Sequence, residues 1–383
     1  MEWGLPVRIV GLDQRAIGQR LVYNLVDAHG RVLLSAGTPL TSRYLALLQG
    51  RGYVSIPVED ALGGGAAPSD PIPEPVRTRI TDLVGDSVKR AERGLVAVTP
   101  GIRAAVNDVL ACLLKSSNLT YNLLSLHSLE DYFFVHSVNV CVYSLVIAGG
   151  LALDPVDRRS LGIGALLHDI GMIYYRELME RPGVLTPEDL ARIARHTEEG
   201  FELLRRQQEV DLRAAHVAFQ HHERLDGSGY PRGIDGDRIS PWARIVAIAE
   251  VFDSITSSRT YAPTKSTAEA LDLLEADAQA QKLDPYLVRY FLQRMSRHPA
   301  GTIVRMGDGA VGVVLQGDVP GQGAAQVRIV SNDGERLEPG TRQVEADGSA
   351  PSASIVESLP DYPAALAGAV EALPEVEGLA TGS

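Results

Sequence analysis

The sequence predicts a mainly α-helical protein with a small α+β unit at one end and a small β unit near the other. Three observations support this fold class. Apolar residues recur at three- and four-residue steps from about residue 76 to about residue 295, the period changes to two after residue 301, and short strand-like runs precede residue 60. With 383 residues, of which 45% are hydrophobic, the chain is long enough for two to three domains.

The first 60 residues are predicted to form a small N-terminal α+β module. Thr41 is placed to cap a short helix, SRYLALLQ, that ends at Gly50. Strands are predicted at residues 7–10, 21–26, 32–34 and 54–58. The segment that follows, ALGGGAAPSDPIPEP at residues 61–75, is rich in glycine and proline, which favours a linker without regular hydrogen-bonded structure.

Helical periodicity begins at Val76 and defines the middle of the chain. Residues 76–130 are predicted to form a helical connector, and residues 131–298 the main helical domain. One helix has a clear start, because Ser240 is a favourable N-cap and Pro241 suits the first helical position before WARIVAIAEVFDSIT.

Beyond the helices, residues 299–345 are predicted to form a small β unit. Two runs of period two flank the turn GDGA, and a third precedes SNDG, as expected for antiparallel hairpins. From residue 346 to residue 383 the chain is rich in alanine, proline and glutamate and has no basic residue, so we expect a disordered acidic tail.

Composition excludes several classes of protein. With 36 basic and 48 acidic side chains, the net charge of −12 argues against DNA binding and against binding to anionic membranes. Cys112 and Cys141 form no C-x-x-C pair, which excludes a disulfide scaffold. The first residues lack the pattern of a signal peptide, and the least polar run, residues 142–153, is too short to span a bilayer. We therefore expect a cytoplasmic protein without a membrane span.

Histidines and carboxylates recur in the helical region in settings that suit metal binding. The motifs are HSVNV, ALLHDIG, HTEEG and HHERLDGSGYP, and Asp169 directly follows the histidine of the second. The histidines are His136, His168, His196, His221 and His222. Glu250 and Asp253 lie one turn apart on the predicted Pro241 helix and therefore share a face.

Mixed imidazole and carboxylate donors suit iron, manganese, zinc or similar divalent ions. Adjacent helical residues point about 100° apart, so one ion rarely binds both His168 and Asp169 from a regular helix. A carboxylate can bridge, however, which lets Asp169 serve two ions. Five histidines, Glu250 and a bridging Asp169 would fill about eight of the roughly 12 positions of two six-coordinate ions. Water and phosphate oxygens could take the rest, as in a two-metal phosphodiester hydrolase.

Each motif taken alone also has an ordinary structural explanation. A single helical histidine is most often a surface residue or a hydrogen-bonded core residue, and one HD dipeptide has little meaning by itself. The loop ERLDGSGYPRG could be a helix-terminating turn capped by Asp226. Its glycines, Gly227 and Gly229, equally permit a close backbone approach to a ligand.

Together these segments and the helix ARIVAIAEVFDSITSSRTY occur in the order and spacing of the HD-GYP domain, which residues 131–298 closely resemble. The match to HHE-x-x-DGxGYP is complete. The resemblance implies an all-helical HD-type phosphohydrolase fold and hydrolysis of the second messenger cyclic di-GMP to linear pGpG or on to GMP. It also implies a centre of two or three metal ions, usually iron or manganese.

Carried over to this sequence, the resemblance assigns roles to individual residues. Asp169 would bridge the ions and, with His168, form the catalytic core. Tyr132 stands where members with three ions carry glutamate, which favours two ions here. The implied metal ligands are His136, His168, Asp169, His196, His221, His222 and Glu250. The implied substrate-binding residues are Gly229, Tyr230 and Pro231 in the loop and Arg259 in an R-x-Y segment.

The sequence departs from the family pattern at three positions near this site. Met172 replaces the lysine that normally ends HDIGK, Glu250 replaces an aspartate ligand, and Ala262 stands where a basic residue commonly follows R-x-Y. Loss of the lysine removes a charge-assisted contact, a kind worth about 1.5–3 kcal/mol. These changes predict weaker substrate binding or slower turnover without loss of the metals.

Three hypotheses follow. The first is a metal-dependent cyclic di-GMP phosphodiesterase. The second is a catalytically weakened module that senses cyclic di-GMP or docks partner proteins, and the third is a phosphohydrolase of another nucleotide, which the GYP loop disfavours. Long helices between residues 76 and 126 could pair in a homodimer, and a diguanylate cyclase (GGDEF) or another signalling protein would be a suitable partner.

Overall fold

The computed structural model describes residues 7–22, 24–26, 32–49, 55–59, 71–95, 98–115, 129–181, 185–208, 210–257, 265–318, 324–332, 335–344 and 354–359. The chain forms two compact units. One comprises Met1–Leu47, Ser55–Pro68 and His298–Ser383, and the other comprises Leu48–Val54 and Ser69–Arg297. The finer division predicted from the sequence stays a prediction, and most of the predicted linker lies outside the described residues.

The N-terminal elements are those of a small α+β module. They are β1 (Val7–Gly11), β2 (Leu25–Val26), β3 (Val32–Leu34), α1 (Ser42–Gln49) and β4 (Ser55–Glu59). Strand β1 pairs antiparallel with β4, and β2 pairs antiparallel with β3. The strand predicted over residues 21–26 is shorter in the structure, where Leu21 makes only an isolated bridge to Val58.

Helices dominate the second unit, as the sequence predicts. In chain order they are α2 (Glu74–Glu92), α3 (Pro100–Lys115), α4 (Leu129–Ala148), α5 (Pro155–Leu166), α6 (Arg176–Glu180), α7 (Pro187–Ile193), α8 (His196–Arg205), α9 (Leu212–Gln220), α10 (Pro241–Thr256), α11 (Thr267–Gln279) and α12 (Pro285–Leu292). Short 3₁₀ segments lie at Ile170–Tyr175 and Gly236–Arg238.

One apolar core unites most of these helices. Ile80 of α2 and Val106 of α3 are buried in the same cluster as Val138 of α4 and Ile248 of α10. The predicted boundary at residue 131 therefore has no counterpart in this core. Helix α4 is apolar on nearly all sides because it packs against α2, α5 and α10.

Helix packing brings the sequence motifs together. Because α4 contacts α5 and α10, the HSVNV segment lies beside the HDIG segment at the end of α5. Helix α8 packs on α9 and on the 3₁₀ segment Ile170–Tyr175. Ser240 is the N-cap of α10, as predicted, but its side chain makes no capping hydrogen bond. Its N–H instead donates to Gln220 Oε1 at 2.8 Å, which joins the end of α9 to the start of α10.

The C-terminal strands form an antiparallel sheet in the order β8-β7-β6-β5-β9. They are β5 (Ile303–Met306), β6 (Val311–Gln316), β7 (Ala325–Asn332), β8 (Glu335–Val344) and β9 (Ile355–Leu359). The predicted hairpin around GDGA joins β5 and β6. The prediction of disorder from residue 346 is wrong for β9, which pairs with β5 and forms an Arg305–Glu357 ion pair. The acidic composition of residues 346–383 did not indicate β9, because this strand depends on a partner strand about 50 residues earlier in the chain.

Candidate metal centre

The HD pair, His168 and Asp169, lies just beyond the C-terminal end of helix α5. Helix α5 ends at Leu166, and the 3₁₀ segment starts at Ile170, so His168 and Asp169 lie on the short connection between them. This break removes the roughly 100° separation of neighbouring helical side chains. His168 Nε2 consequently lies 3.5 Å from Asp169 Oδ2.

Three imidazoles direct their Nε2 atoms at the Asp169 carboxylate. Besides the His168 contact, Oδ1 of Asp169 lies 3.2 Å from His196 Nε2 and 3.4 Å from His221 Nε2. The Nδ1 atom of each ring contacts a backbone carbonyl: Ala165 for His168 at 2.8 Å, Ile193 for His196 at 2.7 Å and Ala218 for His221 at 3.0 Å. A carbonyl only accepts, so Nδ1 donates, and Nε2 becomes the nitrogen available for a metal.

The donor atoms form two sets that share Asp169. One set contains Asp169, His196, His221 and His222, and the other contains His136, His168 and Asp169. In each set, one donor atom per residue lies within 4.8 Å of the others. This arrangement has the form of two ion sites joined by a bridging carboxylate.

A buried ring nitrogen and the types of donor atom both fit the binding of metal ions at this site. His168 Nε2 is buried and has no hydrogen-bond partner among the residues that the structure describes. An unsatisfied buried polar atom costs about 1–3 kcal/mol, a cost that coordination would remove. Imidazole nitrogens with one shared carboxylate are the donor chemistry of Fe, Mn or Zn rather than of Ca or Mg.

The protonation states are also suitable for metal binding. Burial lowers the pKa of His168 to about 4 and, with the charges of His221 and His196, lowers the pKa of His222. Burial alone would raise the pKa of Asp169, but the surrounding histidines hold it well below its usual value. Neutral imidazoles beside an ionised carboxylate are what a metal requires of its ligands.

His136 and His196 are affected by neighbouring carboxylates instead. Burial, the largest single cause, lowers the pKa of each, but the hydrogen bonds and neighbouring negative charges, chiefly Asp253 at His136 and Asp169 at His196, together raise both pKa values. Glu250 contributes to both shifts through its charge. It belongs to neither donor set, and its Oε1 accepts a hydrogen bond from the Ser254 hydroxyl at 2.7 Å.

The GYP loop lies directly against His222, the second residue of the adjacent pair His221–His222. The ring of Tyr230 stacks on His222 at a centroid distance of 4.6 Å, and the Tyr230 N–H donates to the His222 carbonyl at 3.2 Å. A Cβ on Gly229 would lie 2.4 Å from that same carbonyl oxygen, so only glycine fits there. Pro231 follows through a cis peptide bond.

Glu223, whose role is not evident from the sequence motifs, closes this loop. Its side chain is buried, Oε1 accepts a hydrogen bond from the Arg232 N–H at 3.0 Å, and Oε2 accepts one from the Ile234 N–H at 3.1 Å. The HHE motif contained the signal, because Glu223 directly follows the two histidines. Glu223 is therefore the residue that joins the histidine pair to the far side of the GYP loop.

We expect Glu223→Gln to lower the free energy of unfolding by about 2 kcal/mol, since the glutamine amide would meet an N–H with a donor instead of an acceptor. Urea unfolding of the full chain measures the change. Glu275→Gln, on the exposed face of α11, is the matched control and should leave stability within about 0.5 kcal/mol. Equal stability of the two variants would contradict the assigned role of Glu223.

The remaining residues named from the sequence either lie outside the described part of the chain or contact the donor sets. Arg259 and Ala262 lie outside the described residues, as does the side chain of Tyr132. Met172 lies on the 3₁₀ segment after the HD pair, and its N–H donates to the Asp169 carbonyl at 2.8 Å. Asp253, noticed in the sequence only for its spacing from Glu250, contacts His136 Nδ1 at 2.7 Å.

Comparison with known proteins agrees with this geometry. Residues 118–287 match the family model described as HD domain. A cyclic di-GMP phosphodiesterase of Pseudomonas aeruginosa is 32% identical over 260 residues, covering 64% of this chain and 62% of that protein. A cyclic di-GMP phosphodiesterase of Thermotoga maritima is 36% identical over 160 residues, covering 41% of this chain and 43% of that protein.

A third relative has a different named substrate. The 3'3'-cGAMP-specific phosphodiesterase 3 of Vibrio cholerae is 35% identical over 157 residues, covering 41% of this chain and 34% of that protein. The chain thus spans less than two thirds of the length of each of these relatives.

The segment that matches the HD domain model also contains the motifs that resemble the HD-GYP pattern. The resemblance drawn from the sequence is confirmed, as is the mainly helical fold class. Within the described residues, no helix has both the length and the apolar character needed to cross a bilayer.

Proposed function

We propose that this protein is a metal-dependent phosphodiesterase that hydrolyses cyclic di-GMP to pGpG, to GMP or to both. The observation that carries the proposal is the pair of donor sets that share Asp169. Two of the relatives described above are named for this activity. The sensor hypothesis is not favoured, because the donor atoms for two ions lie together despite the changes at Met172, Glu250 and Ala262.

We propose two divalent ions, most suitably iron or manganese. His136 and His168 would hold one, His196, His221 and His222 would hold the other, and Asp169 would bridge them, with Glu250 as a further ligand. When bound, such ions lower the pKa of water and withdraw charge from phosphate oxygens.

The protein's own residues would then orient and shield the substrate. Backbone carbonyls fix the ring nitrogens of His168, His196 and His221 before substrate arrives. Tyr230 covers His222 and, with Gly229 and Pro231, forms the proposed substrate loop. Arg259 is proposed to bind phosphate. The required positive charge would come mainly from the ions, because the lysine of the family motif is Met172 here.

The experiment combines metal analysis with product analysis on the purified full chain. Metals are quantified, and cyclic di-GMP is followed by chromatography beside 3'3'-cGAMP, the substrate named for the Vibrio relative. We expect about two ions per chain and faster loss of cyclic di-GMP. Faster loss of 3'3'-cGAMP would transfer the proposal to that substrate. Full metal occupancy with neither substrate consumed would overturn the enzyme proposal and revive the sensor hypothesis.

Removal of the metals provides an independent prediction. We expect a chelator to abolish hydrolysis, and added Mn²⁺ or Fe²⁺ to restore it, whereas Ca²⁺ should not, because the donor set is rich in imidazole. Activity is compared before chelation, after chelation and after each addition. Full activity in the metal-free protein would contradict the proposed chemistry.

A cytoplasmic location, a homodimer and interaction with a diguanylate cyclase remain proposals of the same kind. They are supported by the substrate class and by the helices that precede the HD domain. Light scattering of the full chain would test the dimer, and co-purification with a GGDEF protein would test the second partner.

A further inference from the structure

A continuous line of buried hydrogen bonds runs from α2 to His136. The guanidinium NH1 of Arg77 donates to Asn139 Oδ1 at 2.8 Å, and Asn139 Nδ2 donates to Asp253 Oδ1 at 2.8 Å. The other oxygen of Asp253 contacts His136 Nδ1 at 2.7 Å. All four side chains are buried, with Arg77 only 2% exposed and Asp253 only 1% exposed.

We propose that Arg77, Asn139 and Asp253 are positioning residues that fix His136 for metal binding. Through Arg77, this line of hydrogen bonds anchors the metal centre to α2, which precedes the segment that matches the HD domain. The inference rests on the proposed metal centre and adds residues to it, none of which is a metal ligand.

The chemistry of each group determines which atom donates and which accepts along this line. The Asp253 carboxylate accepts, so the Nδ1 atom of His136 donates to it, and Nε2 is left available for a metal. Asn139 uses both ends of its amide, since the oxygen receives the Arg77 N–H and the nitrogen donates to Asp253. Hydrogen bonds in such a series polarise one another, which strengthens the line in the low-dielectric core.

Burial of two opposite charges explains why the line extends to Arg77. A carboxylate as deeply buried as Asp253 is costly unless it is compensated by hydrogen bonds and a counter-charge. His136 and Asn139 supply the hydrogen bonds, and Arg77 supplies the positive charge at the far end of the amide. His168, His196 and His221, in contrast, contact backbone carbonyls through Nδ1, so among these four histidines only His136 depends on this line.

The test uses Mn²⁺ titration of the metal-free full chain, followed by electron paramagnetic resonance, in wild type and variants. Asp253→Asn and Arg77→Met should each weaken one of the two ions by about 10- to 100-fold and leave the other unchanged, the range for residues that orient a ligand. Arg77→Lys, which keeps the charge, should recover part of the affinity. Arg79→Met is the matched control on the same helix, because Arg79 is exposed and pairs with Asp108, and it should bind both ions as wild type does.

Each alternative outcome is distinct. Wild-type affinity of both ions in Arg77→Met, or equal weakening of both ions with a matching loss of stability in urea, would overturn the positioning role. Should Arg77→Met fail to fold, Asp253→Asn decides: an unchanged Mn²⁺ affinity and an unchanged Co²⁺ absorption spectrum would overturn the proposal. A wild-type chain that binds no Mn²⁺ would overturn the proposed function itself.

Discussion

Asp169→Ala is expected to remove both metal ions and to lower hydrolysis of cyclic di-GMP by at least about 1,000-fold, since the ions supply several kcal/mol of transition-state stabilisation. Asp169 is the only residue common to both donor sets found in the described chain. Its loss therefore disrupts both proposed ion sites, whereas loss of one histidine disrupts one. Metal analysis and chromatographic product analysis of the same sample measure the two effects together.

Asp237→Ala is the matched control for this experiment. Asp237 lies in the 3₁₀ segment Gly236–Arg238, its side chain is fully exposed, and it pairs with Arg244 at 3.2 Å. We expect this variant to keep wild-type metal content and turnover. Circular dichroism would verify that both variants are folded. Equal turnover in the wild type and in Asp169→Ala would show that the chemistry occurs elsewhere.

Gly171→Ala should have the largest effect on stability. A Cβ at this position would lie 2.0 Å from the carbonyl oxygen of His196 and 2.7 Å from the backbone nitrogen of Gly200. Both atoms belong to the backbone of α8, so relief requires movement of that helix, which begins at His196. We expect a loss of about 3 kcal/mol or more in the free energy of unfolding and weaker binding of the ion held by His196.

Gly85→Ala on α2 is the control for Gly171→Ala. The nearest heavy atom to its added Cβ is Phe134 Cε2 at 3.4 Å, which is an ordinary contact with a side chain. Because alanine favours a helix interior over glycine by about 1 kcal/mol, this variant should be as stable as the wild type or slightly more stable. Urea unfolding and Mn²⁺ titration compare the two. Similar stabilities for both variants would contradict the close approach at Gly171.

Much of the candidate site was accessible from the sequence because its signals are local. The HD pair, the HHE motif and the GYP loop each occupy a few consecutive residues, and residue type alone indicated their donor chemistry. The helical period and the change to period two near residue 301 likewise predicted the fold class. Arg259 and Glu250 remain predictions: the first lies outside the described residues, and the second belongs to neither donor set.

The contacts that orient the ligands could not be predicted in this way. Asp253 and His136 lie 117 residues apart in the chain, and Arg77 and Asn139 lie 62 apart. Nothing in either local pattern specifies the other partner, because helix packing alone determines which side chains meet. Strand β9 could not be predicted for the same reason, because its strand character depends on its pairing with β5.

The sequence by itself determined the mainly helical class, the family resemblance and the set of metal-binding residue types, since each follows from local periodicity or short motifs. Only the tertiary structure decided that Glu223 closes the GYP loop, that Asp253 contacts His136 and that Asn139 links Asp253 to Arg77. The contacts of Asp253 and Asn139 join distant segments, and they arise when the helices bury their apolar faces in a common core.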